Sequence, residues 1–206
     1  MKEKPYYLHF EGMDLAGKTT ATNNFIQSTG TEWDIRRNSL SRENPIHILA
    51  DALRKEEVYD AEVLGNLYVA ALMADIRSFQ WPSRNTIQDS TIILRSIAFH
   101  TVRGTPRISE VLLDLLPEHP QFDASFVFTA SIEERVKRLQ QRIAKAPHEV
   151  SEEDMMVINK PEKFLAMEAV LIDTSRRVFH SVIVDTSSLT PDMVVGTIGS
   201  NLNLKR

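Results

Sequence analysis

"FEGMDLAGKTT", Phe10 to Thr20, carries two glycines, one lysine and two threonines directly after an apolar run. Within it, Gly12-Met13-Asp14-Leu15-Ala16-Gly17-Lys18-Thr19 fits G-x-x-x-x-G-K-[ST]. The pattern has meaning only where a strand precedes it and a helix follows. "YYLHF" (Tyr6 to Phe10) reads as that strand, ended by Glu11-Gly12, and a helix is expected from near Lys18. Two glycines allow backbone angles and close approaches that side chains would block, so the loop N–H groups point inward. The helix N-terminus adds positive potential. Gly12 through Thr20 then form a phosphate cradle. Lys18 would reach the β and γ phosphates of a bound nucleotide, and the Thr19 hydroxyl would sit on Mg2+. ATP and Mg2+ are the cofactors this implies.

Outward from the loop, apolar runs alternate with helical patterns. "EWDIRR" (Glu32 to Arg37), "NTIQD" (Asn85 to Asp89), "ASFVFTA" (Ala124 to Ala130) and "HSVIVDT" (His180 to Thr186) read as four further strands. Strands alternating with helices imply an α/β chain with a five-stranded parallel sheet covered on both faces. The chain has 206 residues, 42% of them hydrophobic, which suits one domain over residues 1–206. A net charge of -4 gives no basic excess, so polymeric nucleic acid is not an expected partner. With no cysteine, disulfide scaffolds and thiolate metal sites are excluded, and a cytoplasmic location is expected. No uninterrupted apolar stretch reaches about 18 residues, so no membrane span is expected. No signal peptide is expected either.

Two helical patterns carry candidate site residues. Between Ala61 and Phe79, Leu64, Leu67, Tyr68, Ala71, Leu72 and Asp75 fall on one face. Asp75 is out of place there, so either the stripe ends at it or it faces a cleft. A second helix opens at Ser131, with Glu134 three residues on as in a capping box. Arg135, Arg138 and Arg142 form a basic stripe along it beside the apolar stripe of Ile132, Val136, Leu139 and Ile143. "KAPHEVSEED" (Lys145 to Asp154) reads as a polar loop, and Pro161 opens a helix to about Phe179. The segment 143–158 is suited to be a mobile lid.

With these residues in place, the chain resembles the thymidylate kinase family of the P-loop nucleoside and nucleotide kinases. "FEGMDLAGKTT" is similar to that family's F-E-G-[LMV]-[DE]-x-A-G-K-[ST]-T. "AALMADI" with Arg77 is similar to its helix ending in A-A-D-R. "TIQDS" stands where the family has a strand ending in Asp-Arg, and "RSIAFH" resembles S-S-x-A-[YF]-Q. "FVFTASIEERVKRLQQR" resembles a strand and arginine-rich helix leading into a lid. "VIVDTSSLTPDMV" resembles the last strand and terminal helix. The resemblance implies a three-layer α/β/α P-loop NTPase fold with a lid. It also implies ATP-dependent transfer of the γ-phosphoryl to a nucleoside monophosphate or nucleoside. Asp89 would serve Mg2+ and the acceptor, and Arg138 and Arg142 would be lid arginines on the transferred phosphoryl. Asp14 would meet the acceptor sugar, Arg42 in "SRENP" an acceptor phosphate, and Tyr68, Leu72, Asp75 and Arg77 the acceptor's surroundings. A homodimer through the apolar face around Leu64 to Leu72 is also suggested.

The departures bear on the acceptor. Asp89 is followed by Ser90 where the family has arginine, and Arg95, about one and a half helical turns on, is the compensating candidate. Leu15 stands where some relatives place an arginine, and "APHEVSEED" replaces a glycine-rich lid. Two other readings stay open: a kinase of a non-nucleotide small molecule, and a nucleotide-binding regulator without kinase activity.

Overall fold

The computed structural model describes residues 4–41, 43–57 and 59–202. Five strands form one parallel sheet: β1 (Tyr7–Glu11), β2 (Asp34–Arg37), β3 (Thr86–Asp89), β4 (Ala124–Thr129) and β5 (Val182–Asp185), in the order β2-β3-β1-β4-β5. Every expected strand is present, with no end moved by more than two residues. Glu11, expected just past the first strand, is the last residue of β1. All five β1 residues are buried, as a central parallel strand requires.

Side chains alternate across β1. Leu8 and Phe10 join Ile87, Phe126, Phe128 and Val184 beneath α1 (Lys18–Thr29) and α9 (Pro191–Asn201), which add Phe25, Val194 and Ile198. Phe10 meets Phe25, Phe126 and Phe128 edge to face at 5.2–5.9 Å. Burying each such ring contributes about 1.5–3 kcal/mol. A second cluster joins Val127 to α3 (Ala61–Ser78), α4 (Ile92–Arg103), α5 (Pro106–Leu115), α6 (Ile132–Lys145) and α8 (Pro161–Phe179). It is built on Val69, Leu72, Ile93, Leu94, Ile97, Leu112, Leu139, Phe164 and Leu171. The layers are therefore helix, sheet, helix.

Leaving β1, the chain visits β2 and β3 on one side and then β4 and β5 on the other. Connections diverging at the carboxyl ends of such strands leave a crevice there. Gly12 to Gly17 lies at that end of β1, and Asp89 ends β3 beside Phe10 in the strand register.

One segment differs from the sequence expectation. Lys145 to Asp154 is not a plain loop: α6 runs to Lys145, Pro147–Glu149 makes a 3-10 turn, and α7 (Glu152–Asn159) begins inside the segment. Ser151 and Asp154 make a reciprocal capping box, which starts α7 where composition suggested only polarity. The segment 143–158, expected as a lid, is thus mostly helical. The α3 face from Leu64 to Leu72 is also partly committed within the chain, because Val69 and Leu72 are buried in the second cluster.

Candidate active site

The loop from Gly12 to Gly17 departs from regular backbone at three points. Gly12 has φ 145°, Leu15 φ 63° and Gly17 φ 86°. A Cβ at Gly12 would meet the Phe128 carbonyl oxygen at 2.3 Å, so only glycine fits between the loop and β4. Gly17 is the N-cap of α1 and no side chain caps it, so the first-turn amides of α1 are left for an anion. Met13 and Ala16 are buried in the loop's underside, while Thr19 and Thr20 are exposed on the first turn of α1.

Lys18 folds back over the loop, and its Nζ donates to the Gly12 carbonyl at 2.8 Å. Arg95, from the first turn of α4, donates through Nη2 to that same carbonyl at 2.8 Å. Two cations therefore share one oxygen at the mouth of the loop. Burial lowers the Lys18 pKa, Arg95 lowers it further, and Asp14, Glu11 and Asp89 oppose them. Beneath lies Glu11, fully buried, with Oε1 accepting from Gly12 N–H at 3.0 Å and Oε2 from Thr91 N–H at 2.9 Å. Arg95 Nε is 3.4 Å from Glu11 Oε1, and His9 Nε2 is 3.6 Å from Oε2. Burial alone would raise the Glu11 pKa, but His9 and Arg95 together hold it well below the usual carboxylate range. His9 in turn is fixed by Ser125 Oγ at 2.7 Å and by stacking on Phe122.

Two arginines of α6 hold the loop from its other side. Arg135 is fully buried; it donates to the Ala130 and Asp14 carbonyls, pairs with Glu168 of α8 and lies over the Phe164 ring. Arg138 Nη1 donates to the Leu15 carbonyl at 2.9 Å and to Thr186 Oγ1 at 2.9 Å, and Nη2 donates to the Thr186 carbonyl. Leu15, strained at positive φ, is pinned by that bond. Arg142 Nη1 donates to both oxygens of Asp154, each at 2.8 Å. The two arginines expected on a transferred phosphoryl group are thus committed to protein groups: Arg138 to the loop backbone and Arg142 to α7. Arg135 was visible in the basic stripe, but nothing in its spacing marked it as the residue that holds Asp14.

On the acceptor side the expectations divide. Asp89 is partly exposed at the end of β3, with Arg37 Nε 3.9 Å from its carboxylate. Ser90, in place of the family's arginine, is buried at φ 67° with its N–H on the Phe10 carbonyl at 2.8 Å. Asp75 neither ends the stripe nor faces an open cleft. It is buried, and accepts from Ser39 Oγ at 2.6 Å, Leu40 N–H at 2.8 Å, Ser41 Oγ at 2.7 Å and Asn44 Nδ2 at 2.9 Å. It anchors the connection between β2 and α2 (Pro45–Lys55). Tyr68 donates to Asp51 of α2 at 2.6 Å, and burial with that bond raises its pKa. Leu72 is core, and Arg77 is exposed on α3. Arg42 lies outside the described residues. A further ion pair, Arg54 with Glu153, ties α2 to α7.

The residues fit a magnesium nucleotide. An uncapped helix start, an exposed Thr19 hydroxyl, a partly exposed Asp89 carboxylate and a lysine at the loop mouth are the donor set such a ligand needs. Among the described residues no group of three or more histidines, aspartates or glutamates could hold a metal by itself. No helix among these residues is long and apolar enough to cross a membrane.

The sheet order, the strand-end loop and the helices on both faces together define a thymidylate kinase-type P-loop fold. Among solved structures, a thymidylate kinase from Candida albicans superposes with a TM-score of 0.69 at 17% identity, covering 97% of this chain and 92% of that one. A thymidylate kinase from Ehrlichia chaffeensis gives 0.64 at 13% identity, covering 98% and 100%. A deoxyadenosine kinase from M. mycoides, solved with bound dCTP, gives 0.57 at 17% identity, covering 96% and 98%. No family model and no curated protein matches the chain in sequence.

Proposed function

We propose that this chain is an ATP-dependent phosphotransferase that moves the γ-phosphoryl of ATP to a nucleoside or nucleoside monophosphate. The observation that carries the proposal is the juxtaposition at the carboxyl ends of β1 and β3. There Lys18 closes over the Gly12–Gly17 loop and Asp89 stands at the adjoining strand end. Phosphoryl transfer asks chiefly for positioning and charge compensation, which this arrangement is built to give.

In this reading the first-turn amides of α1 and the Lys18 ammonium orient the donor's phosphates. Thr19 and Asp89 would hold Mg2+, which neutralises charge on the phosphate oxygens. Asp89 also orients the attacking hydroxyl, and Asp14 faces the acceptor. Arg135 and Arg138 act as positioning residues, because they fix the carbonyls of Asp14 and Leu15 and so the curvature of the loop. Helices α6 and α7 would close over the donor and exclude water, which suppresses hydrolysis. The related solved kinases act on nucleotides or nucleosides by name, and that supports the acceptor class at the level of fold analogy.

A coupled ADP-release assay over nucleosides and nucleoside monophosphates tests the proposal, with Lys18→Ala as control. The expected outcome is acceptor-dependent turnover that falls by about 10²–10³-fold in Lys18→Ala, the scale of losing one preorganised charge. Tight ATP binding with no acceptor-stimulated turnover would identify a nucleotide-binding regulator and overturn the reading.

A further inference from the structure

We infer that Arg95 is the arginine that meets the donor's transferred phosphoryl group, and so is a catalytic residue rather than a clamp for an acceptor phosphate. The inference rests on the kinase reading above and deepens it. Transfer of the γ-phosphoryl spreads charge over its outer oxygens, and an arginine commonly supplies the compensation. Three sequence positions could have done so here. Leu15 in the loop has no charge to offer. Arg138 is committed to the Leu15 carbonyl and to Thr186 through both terminal nitrogens. Arg142 is committed to both oxygens of Asp154.

Arg95 differs from these in place and in what its fork still offers. It shares the Gly12 carbonyl with Lys18, the residue placed at the donor's β and γ phosphates. That bond is made by Nη2 of its guanidinium. Its buried Nε makes none, although Glu11 Oε1 lies 3.4 Å away. A guanidinium with open N–H groups beside the cradle lysine is suited to two oxygens of one phosphoryl group. Glu11 supplies the orientation: it binds Gly12 N–H, Thr91 N–H at the N-cap of α4, and the Arg95 guanidinium at once. One buried carboxylate thus sets loop, helix start and arginine relative to each other. Lys18 and Arg95 repel across a shared oxygen, and an anion between them relieves that repulsion. Transfer breaks the bond between the γ phosphorus and the β–γ bridging oxygen and forms one from the acceptor hydroxyl oxygen to the same phosphorus. ADP leaves and the hydroxyl proton goes to base or solvent. Arg95 touches the group in motion and forms no bond to it.

The test compares calorimetric binding of a magnesium-bound non-hydrolysable ATP analogue and of ADP to wild type, Arg95→Gln, Arg95→Lys and Arg142→Gln. The coupled assay is run on the same proteins. Arg95→Gln is expected to weaken the triphosphate analogue about 10-fold or more while ADP affinity moves less than about 3-fold, and to lower kcat about 10²–10³-fold with acceptor KM nearly unchanged. Should Arg95→Gln fail to fold with Glu11 uncompensated, Arg95→Lys decides, because it keeps the charge and loses the planar fork. An unmoved triphosphate affinity in a variant that folds, a rise in acceptor KM at constant kcat, or a larger kcat loss in Arg142→Gln would each overturn the assignment. Wild type that binds neither nucleotide would instead remove the kinase reading beneath it, so the two failures are told apart.

Discussion

At the scale of single residues, the polar groups buried against the sheet and α3 decide where the loops sit. Asp75 is the clearest case. Its carboxylate takes hydrogen bonds from four residues of one short segment, Ser39, Leu40, Ser41 and Asn44. Asn44 is also the N-cap of α2, so the same contact sets where that helix begins. Removing the acceptor leaves buried donors unpaired, at about 1–3 kcal/mol each. Asp75→Ala is therefore expected to lower unfolding free energy by more than about 3 kcal/mol in urea titrations. Asp75→Asn keeps an acceptor oxygen and should cost roughly half as much. If Asp75 instead lined an acceptor pocket, Asp75→Ala would leave stability within about 0.5 kcal/mol of wild type and change acceptor KM alone.

At the scale of elements, two glycines on helices predict opposite outcomes. A Cβ at Gly65 of α3 would meet the His100 ring of α4 at 2.7 and 2.9 Å. That ring is buried and tied to Thr105 Oγ1 at 2.7 Å, so it has no easy way to yield. Gly65→Ala is expected to lose about 1–3 kcal/mol in chemical denaturation despite alanine's better helix propensity. Gly196 of α9 has open space where its Cβ would go, and Gly196→Ala should gain about 0.5–1 kcal/mol in the same measurement. The element scale was also where sequence reading was strongest and where it stopped. Strands and the phosphate loop were legible because period, glycine spacing and strand-helix context are local signals. Helix α7 was missed although Ser151-x-x-Asp154 ahead of "MMVI" is a start signal, because the surrounding acids resembled a solvated loop. The positions of Arg135, Arg138 and Asp75 were not legible at all. Each binds groups at least 30 residues away in sequence, a relation that no local pattern encodes.

At the scale of the whole molecule, the buried His100 and His119 make stability depend on pH in a range where Glu11 does not. His119 packs against Phe122 and Phe179 and gives its Nδ1 bond to the Pro120 carbonyl. Burial lowers its pKa from 6.5 to about 4, outweighing that carbonyl. Burial and then Arg103 lower His100 likewise, from 6.5 to about 4. Between those values the unfolded chain holds a proton that the folded chain refuses. Stability therefore rises with pH across this window, is complete above about pH 6.5, and is lost as pH falls toward 4. Glu11 is different. Its folded pKa lies below the ordinary value of 4.5, so its contribution is intact above that pH and fades only below it. From pH 7.5 to pH 5 each histidine should thus remove about 2 kcal/mol, together a large share of a typical domain's 5–15 kcal/mol. Urea titrations at both pH values check this, with His119→Phe as the comparison. Phenylalanine suits the apolar side of that site and does not titrate, so the variant should lose about half of the wild-type difference between the two pH values. A wild-type stability that stays flat over this range would mean that neither ring is kept from its proton by the fold, and the packing of α4 and of the His119 turn would have to be looser than the structure has it.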